Sequence, residues 1–336
     1  MKKLFVIAAA LALLCLGSLA QAAITIDTVA VGNPGNTADT RVMFDGTTGY
    51  GSVSHNYNIG KYEVTAGQYT AFLNAVGATD TYGLYNTSMS NTSYGSGITR
   101  GGSSGSFNYS VDAAFVNRPV DYVSYWDSCR FANWLGNGQG TGSTETGAYT
   151  LDGYTGTDGR TIQRNAGATW AVTSEDEWYK AAYYKGGSTS AGYWDYPTKS
   201  NSAPGNDMTD ASGNNANYYT GSGSYPTDSG KYTTVVGEFQ NSASAYGTFD
   251  QGGNVWEWNE AITSISGDYA CRGLRGGSFS MNYRTLRASG RDGSGGPNGE
   301  DRGIGFRVSQ VVPEPSSIIT LVGGLIGLIG LRRRRG

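Results

Sequence analysis

The stretch Gly247-Thr248-Phe249-Asp250-Gln251-Gly252-Gly253-Asn254-Val255-Trp256-Glu257-Trp258 decides how the rest of the chain is read. Glycine, Asp and Asn are residues of tight turns, since they tolerate backbone conformations that other side chains resist. Here they run straight into two tryptophans, which are large enough to anchor a core. A turn fused to a core anchor describes an ordered loop. The whole composition repeats that theme. The 336 residues include 52 glycines and 24 tyrosines, and aromatics reach 12% while Asp, Glu, Lys and Arg together reach only 15%. Glycine shows no three-residue period, which excludes collagen. The aromatic content excludes a disordered chain. A single histidine, His55, excludes a site of two or three imidazoles, and three cysteines cannot alone build a structural zinc site.

Both ends read as processing signals. Residues 1–22 have a Lys2-Lys3 start, an apolar run from Leu4 to Leu16 and a small-residue site at Ala20-Gln21-Ala22, the pattern of a cleaved export signal. At the other end Pro313-Glu314-Pro315 precedes an apolar run from Ile318 to Leu331 and the arginines 332–335. A helix of that run, at ~1.5 Å per residue, spans about 21 Å and falls short of a ~30 Å hydrocarbon core. This tail resembles the PEP-CTERM sorting signal, which implies an exosortase-type membrane protease as partner and transient inner-membrane anchoring before release to the cell surface or outside. The full chain carries −3; without both ends 18 basic side chains face 26 acidic ones, a net charge of −8. Such an acidic body is a poor partner for nucleic acid and a good one for divalent cations. Cys129 and Cys271 are the thiols of this body; export permits a disulfide between them, but they are far apart in sequence, and unpaired they read as small buried hydrophobes.

Between the ends, residues 23–312 show no internal repeat and no charged linker, and read as one domain. Three helices are predicted. Thr65-Ala66-Gly67-Gln68 is a capping box ahead of Tyr69, Phe72, Leu73 and Val76. Ser124, with Asp127 three positions on, opens a second helix with Phe131, Trp134 and Leu135 on one face, ending at Gly136-Asn137-Gly138. Ser174-Glu175-Asp176-Glu177 opens a third, carrying Trp178, Ala181 and Ala182; its acids suit the helix dipole better than catalysis. Residues 56–64 and 304–312 are strand candidates, and few other runs exceed six residues. Segments 77–117 and 185–232 are long turn-rich loops whose Tyr and Trp argue for packing. The expected class is α+β, with small antiparallel sheets and low regular secondary structure.

Six blocks in order then resemble the formylglycine-generating enzyme, or sulfatase-modifying factor, family. They are Ile59-Gly60-Lys61-Tyr62-Glu63-Val64-Thr65; Arg118-Pro119-Val120 with Phe131-Ala132-Asn133-Trp134-Leu135; Thr173 to Trp178; the opening stretch 247–258; Leu274-Arg275-Gly276-Gly277-Ser278-Phe279; and Gly305-Phe306-Arg307. The resemblance implies that family's variant of the C-type-lectin-like fold. It also implies structural calcium, at one site on the Asp250 and Glu257 carboxylates with the carbonyls of Gly253 and Val255. A second site falls on Asn217, the Tyr218 carbonyl, Asp228 and the Gly230 carbonyl. Calcium takes six to eight oxygens of mixed kind, which such loops supply. Arg287, Arg291 and Arg307 read as internal ion pairs.

The family's copper(I) chemistry depends on two thiolates spaced C-x4-C. Those positions hold Met281 and Leu286 here, so no copper is expected. The related three-histidine iron site is also missing, because His55 stands alone. No G-x-S-x-G surrounds a serine and no Gly-rich run leads into Lys-Ser/Thr. Two functions remain. The first is a non-catalytic binding or structural module of the cell surface or extracellular matrix, taking polysaccharide or a surface protein through Asn282, Tyr283, Arg284 and Asn298. The second is an oxidase-type enzyme with an altered metal site.

Overall fold

The computed structural model describes residues 23–221, 228, 230–293 and 295–312. The segments expected to be an export signal and a sorting tail, with Pro313, Glu314 and Pro315, lie outside the described residues. Strands β1 (Thr28–Val31) and β2 (Tyr57–Gly60) lead into helix α1 (Ala66–Val76). A 3₁₀ turn at Thr87–Ser90 and the hairpin β3 (Ile98–Gly101) and β4 (Asn108–Val111) precede α2 (Tyr125–Gly136). Then come β5 (Trp170–Val172), α3 (Glu175–Tyr183), β6 (Trp256–Ser266), β7 (Tyr269–Arg275), β8 (Ile304–Phe306) and β9 (Val308–Val311). Three helices, short sheets and long loops are the α+β architecture the composition predicts.

All three expected caps form. Thr65, Ser124 and Ser174 each accept from the backbone three residues on, and the side chains of Gln68, Asp127 and Glu177 return the bond. Each box satisfies N–H groups that a helix start leaves orphaned. The second helix differs from expectation in burial: every residue from Tyr125 to Leu135 is buried, not one face only. The reason lies in the loop after it. Arg130 holds Glu145 at 2.8 Å, and Asn133 donates to the carbonyls of Thr144 and Tyr149, so residues 144–154 cover the helix's outer face. The helix's polar groups survive burial because Arg130 and Asn133 find loop partners, while Asp127 and Ser128 bond to Ser124 at the cap.

The main sheet has the order β1-β2-β9-β5 and is antiparallel throughout. It joins the first strand to the last through β2. The core contains Tyr69 and Phe72 of α1, Phe131 and Trp134 of α2, and Trp258, Phe306 and Val308. Phe131 meets Phe72 and Phe306 edge-on, with centroids 5.4 and 5.3 Å apart, a favoured aromatic geometry.

The second sheet, β7-β6-β8, positions the site. β6 pairs antiparallel with β7 and parallel with β8, with register shifts between Asn259 and Ser264. Its eleven residues correct the expectation that the chain is looped at Glu257. Trp256-Glu257-Trp258 start a strand between two neighbours, and the loop ends at Val255. Among the described residues no helix is long and apolar enough to cross a membrane.

Candidate functional site

The stretch 247–258 enters the molecule as a knot. Asp250 and Asn254 hold left-handed φ of 60° and 58°, and Gly253 holds 90°. A Cβ on Gly253 would lie 2.2 Å from the Asn217 carbonyl oxygen, so only glycine fits. Asn254 donates its N–H to that carbonyl (2.8 Å) and accepts at Oδ1 from Asn217 Nδ2 (3.1 Å) and the Thr234 N–H (3.0 Å). Its own carbonyl accepts from Phe279. Asn254 thus binds together segments that begin at 217, 234 and 279.

Behind the knot lies a buried charge cluster. Glu257, fully buried, accepts from Arg307 through both oxygens, at 2.5 and 2.6 Å, and from the Trp178 indole at 2.7 Å. Arg307 also caps the carbonyls of Gly60 and Phe249. Asp250 accepts from the Gly237 N–H at 2.6 Å. Burial pushes its carboxyl up to about 6, with the Glu257 charge adding to the rise. The residue that sequence reasoning missed is Glu63. It is buried, and both carboxyl oxygens are without a hydrogen-bond partner. Burial holds its carboxyl well above the usual range, and the Asp250 and Glu257 charges push the same way. Three acids therefore share one guanidinium. Glu63 sits in the Ile59–Thr65 block, but no spacing rule links it to Asp250, which is distant in sequence.

The second predicted set adjoins the first through Asn217. Asn217 Nδ2 donates to the Tyr232 carbonyl, the Tyr218 carbonyl accepts from Asn206, and Asp228 pairs with Arg118. Gly230 holds a φ of 79°. Residues 222–227 and 229 of this loop lie outside the described residues. Among the described residues no three His, Cys, Asp or Glu side chains come together to hold a metal ion. A site of two carboxylates completed by carbonyls is of a different kind.

The positions that correspond to the family's thiols diverge. Met281 is exposed and lines a cleft of about 330 Å³ with Trp256, Ser278, Ser280, Asp292 and Arg302. Leu286 is fully buried with Tyr196, Ala216 and Tyr218. Cys129 and Cys271 are both buried and free, the former within α2 and the latter within β7. Arg287, Arg291 and Arg307 pair with Asp195, Glu175 and Glu257 respectively. His55 lies 3.3 Å from Glu177, outside this cleft. Asn282, Tyr283, Arg284 and Asn298 are at the surface, with the Asn282 side chain and carbonyl turned into its own local turn. None of the four lines the Met281 cleft.

A family model described as the sulfatase-modifying factor enzyme 1-like domain matches residues 28–311. The chain belongs to this family. The sulfatase-modifying-factor fold extends to solved structures of low identity. One, described as the crystal structure of CarF, has a TM-score of 0.57 at 21% identity, covering 86% of this chain and 99% of that one. Another, Treponema denticola variable protein 1, has a TM-score of 0.54 at 19% identity, covering 86% and 96%. PvdO from Pseudomonas aeruginosa follows at 0.46 and 19%, covering 85% and 92%. No curated protein matches the sequence. The fold is the sulfatase-modifying-factor variant of the C-type-lectin-like fold, rich in loops.

Proposed function

We propose that the chain is an exported, non-catalytic binding or structural module of the cell surface or extracellular matrix, built on the sulfatase-modifying-factor scaffold and released through an exosortase. The observation that supports it is the split of the thiol positions. Met281 stands at the cleft, Leu286 is locked into an apolar cluster, and both remaining thiols are buried elsewhere. Thiolate ligation of a soft cation in that cleft has no ligands to use.

Structural calcium belongs to the same reading. Asp250, Glu257 and the carbonyls of Gly253 and Val255 would hold one ion, and the unpartnered Glu63 beside them supports an added positive charge there. The ion would neutralise buried acids and fix the knot. Asn217, Tyr218, Asp228 and Gly230 would hold a second. The surface residues Asn282, Tyr283, Arg284 and Asn298 would take extracellular polysaccharide or a surface protein.

The test is a glycan array and a matrix pull-down with the secreted chain, plus metal analysis. Binding that falls at least tenfold in Asn282→Ala/Tyr283→Ala supports the reading. Absence of any ligand in both assays, or stoichiometric copper or iron with oxidation of a cysteine peptide, overturns it in favour of an oxidase-type enzyme.

A further inference from the structure

Arg118, Arg130, Arg275 and Arg307 each hold a carboxylate. Arg302 does not. It lines the Met281 cleft and is exposed, as is its neighbour Asp301. The Arg302 guanidinium donates to nothing among the described residues; only its backbone N–H is used, on Asp301 Oδ1 at 2.6 Å. Asp301 has no cationic partner among the described residues, and its Oδ2 accepts nothing there. Two opposite charges therefore stand unpaired at one cleft mouth. Trp256 lines the same cleft at 7% exposure, and its indole N–H has no acceptor among the described residues. A largely buried donor left open at a cleft wall calls for an acceptor from outside the chain.

Two tyrosines flank the mouth. Tyr94 is 36% exposed, with the Arg302 guanidinium 5.9 Å from its ring centre. Tyr122 is half-buried, and its φ of 56° lies in the left-handed region that bulky side chains resist. Its N–H donates to the Asp301 carbonyl at 3.2 Å, and the Trp256 N–H donates to the Gly303 carbonyl at 2.7 Å. These two bonds fix the loop that carries Asp301 and Arg302. Burial pushes the Tyr122 hydroxyl up, with Asp121, Tyr94 and Asp301 adding and Arg302 opposing, so rings and charges are close neighbours. Met281, Leu274 and Ile304 supply the apolar part of the wall.

We infer that the mouth of this cleft is a saccharide subsite for a neutral hexopyranose chain, with the Tyr94 ring against the C–H face of one sugar, Arg302 and Asp301 on its hydroxyls and the Trp256 indole N–H at the inner end. A hydroxyl both donates and accepts, so neighbouring hydroxyls satisfy a free guanidinium and a free carboxylate together. Hydrogen bonds to charged groups are also the stronger kind. Asp301, with Asp292 in the same wall, repels a polyanion. A zwitterionic peptide end could meet both charges but brings no flat C–H face to the tyrosine. The inference rests on the binding-module reading and adds a subsite that Asn282, Tyr283, Arg284 and Asn298 do not form.

Titration calorimetry of the full chain with cellohexaose, maltohexaose and mannohexaose tests it, with oligogalacturonate and triglycine as comparison ligands. Saturable binding of at least one neutral hexasaccharide, at least tenfold tighter than either comparison ligand, is expected. Tyr94→Ala and Arg302→Ala change exposed side chains, and each, with the parent melting temperature retained, should weaken that binding at least tenfold. No saturable binding of a neutral hexasaccharide, equal binding of oligogalacturonate or triglycine, or binding that survives Tyr94→Ala overturns the assignment. A glycan-array ligand lost in Asn282→Ala/Tyr283→Ala but kept in Tyr94→Ala and Arg302→Ala leaves the binding module standing and removes this subsite.

Discussion

Glu63 and Asp250 show how a single side chain can be decided by partners far away in sequence. Asp250 and Glu257 stand out in the sequence because they flank the turn residues Gly253 and Asn254. Glu63 does not, since an orphaned oxygen exists only once the chain has folded. Three predictions belong here. Adding calcium after chelation raises the melting temperature, as binding to the native state alone is worth about 2.7 kcal/mol at a hundredfold excess over Kd. In Glu63→Gln that rise shrinks by more than half, which differential scanning calorimetry reads directly. Gly253→Ala forces a Cβ onto the Asn217 carbonyl at a positive φ, and unfolding by urea should show a loss of about 2 kcal/mol or more. The third concerns Asp121, which burial raises from 3.8 to about 7 and whose Oδ2 has no partner. The folded state then holds a proton that the unfolded state has released between those values. Stability from this group is present at low pH and lost as pH rises from about 4 to 7, by up to about 4 kcal/mol. Asp121→Asn should remove that slope, so its stability relative to the parent chain improves between pH 4.5 and pH 8.

Helices were the most legible elements because their caps are local. The Thr65, Ser124 and Ser174 boxes place three starts to the residue, and Ser174→Ala should cost about 1 kcal/mol in a urea melt. The burial of α2 was not legible. Its Arg130 and Asn133 look like an outward face until residues 144–154 fold over them. The reach of β6 was also hidden, because its later half, Ala261 to Ser266, lacks the alternating pattern that marks a half-buried strand. The strand at 57–60 was visible because Tyr57 and Ile59 alternate inward, whereas the expected strand 304–312 breaks at Arg307 into β8 and β9, which join different sheets.

Across the whole molecule, buried ion pairs take the place that disulfides hold in many exported domains. Arg307 ties β2, the 247–258 knot and β6 through Gly60, Phe249 and Glu257. Arg307→Ala should strip Glu257 of its counter-charge and lower stability by about 3–5 kcal/mol, read as a fall in the urea midpoint at constant slope. Fold class and family were open to sequence reading because six blocks keep their order. The sheet order β1-β2-β9-β5 has one more consequence, and it is mechanical. The last strand is not an edge strand: β9 is gripped on one side by β2 and on the other by β5. A pull applied at the C-terminal end therefore runs along β9 and loads both ladders in shear at once. The body would resist detachment by tension best at the end where its tail departs.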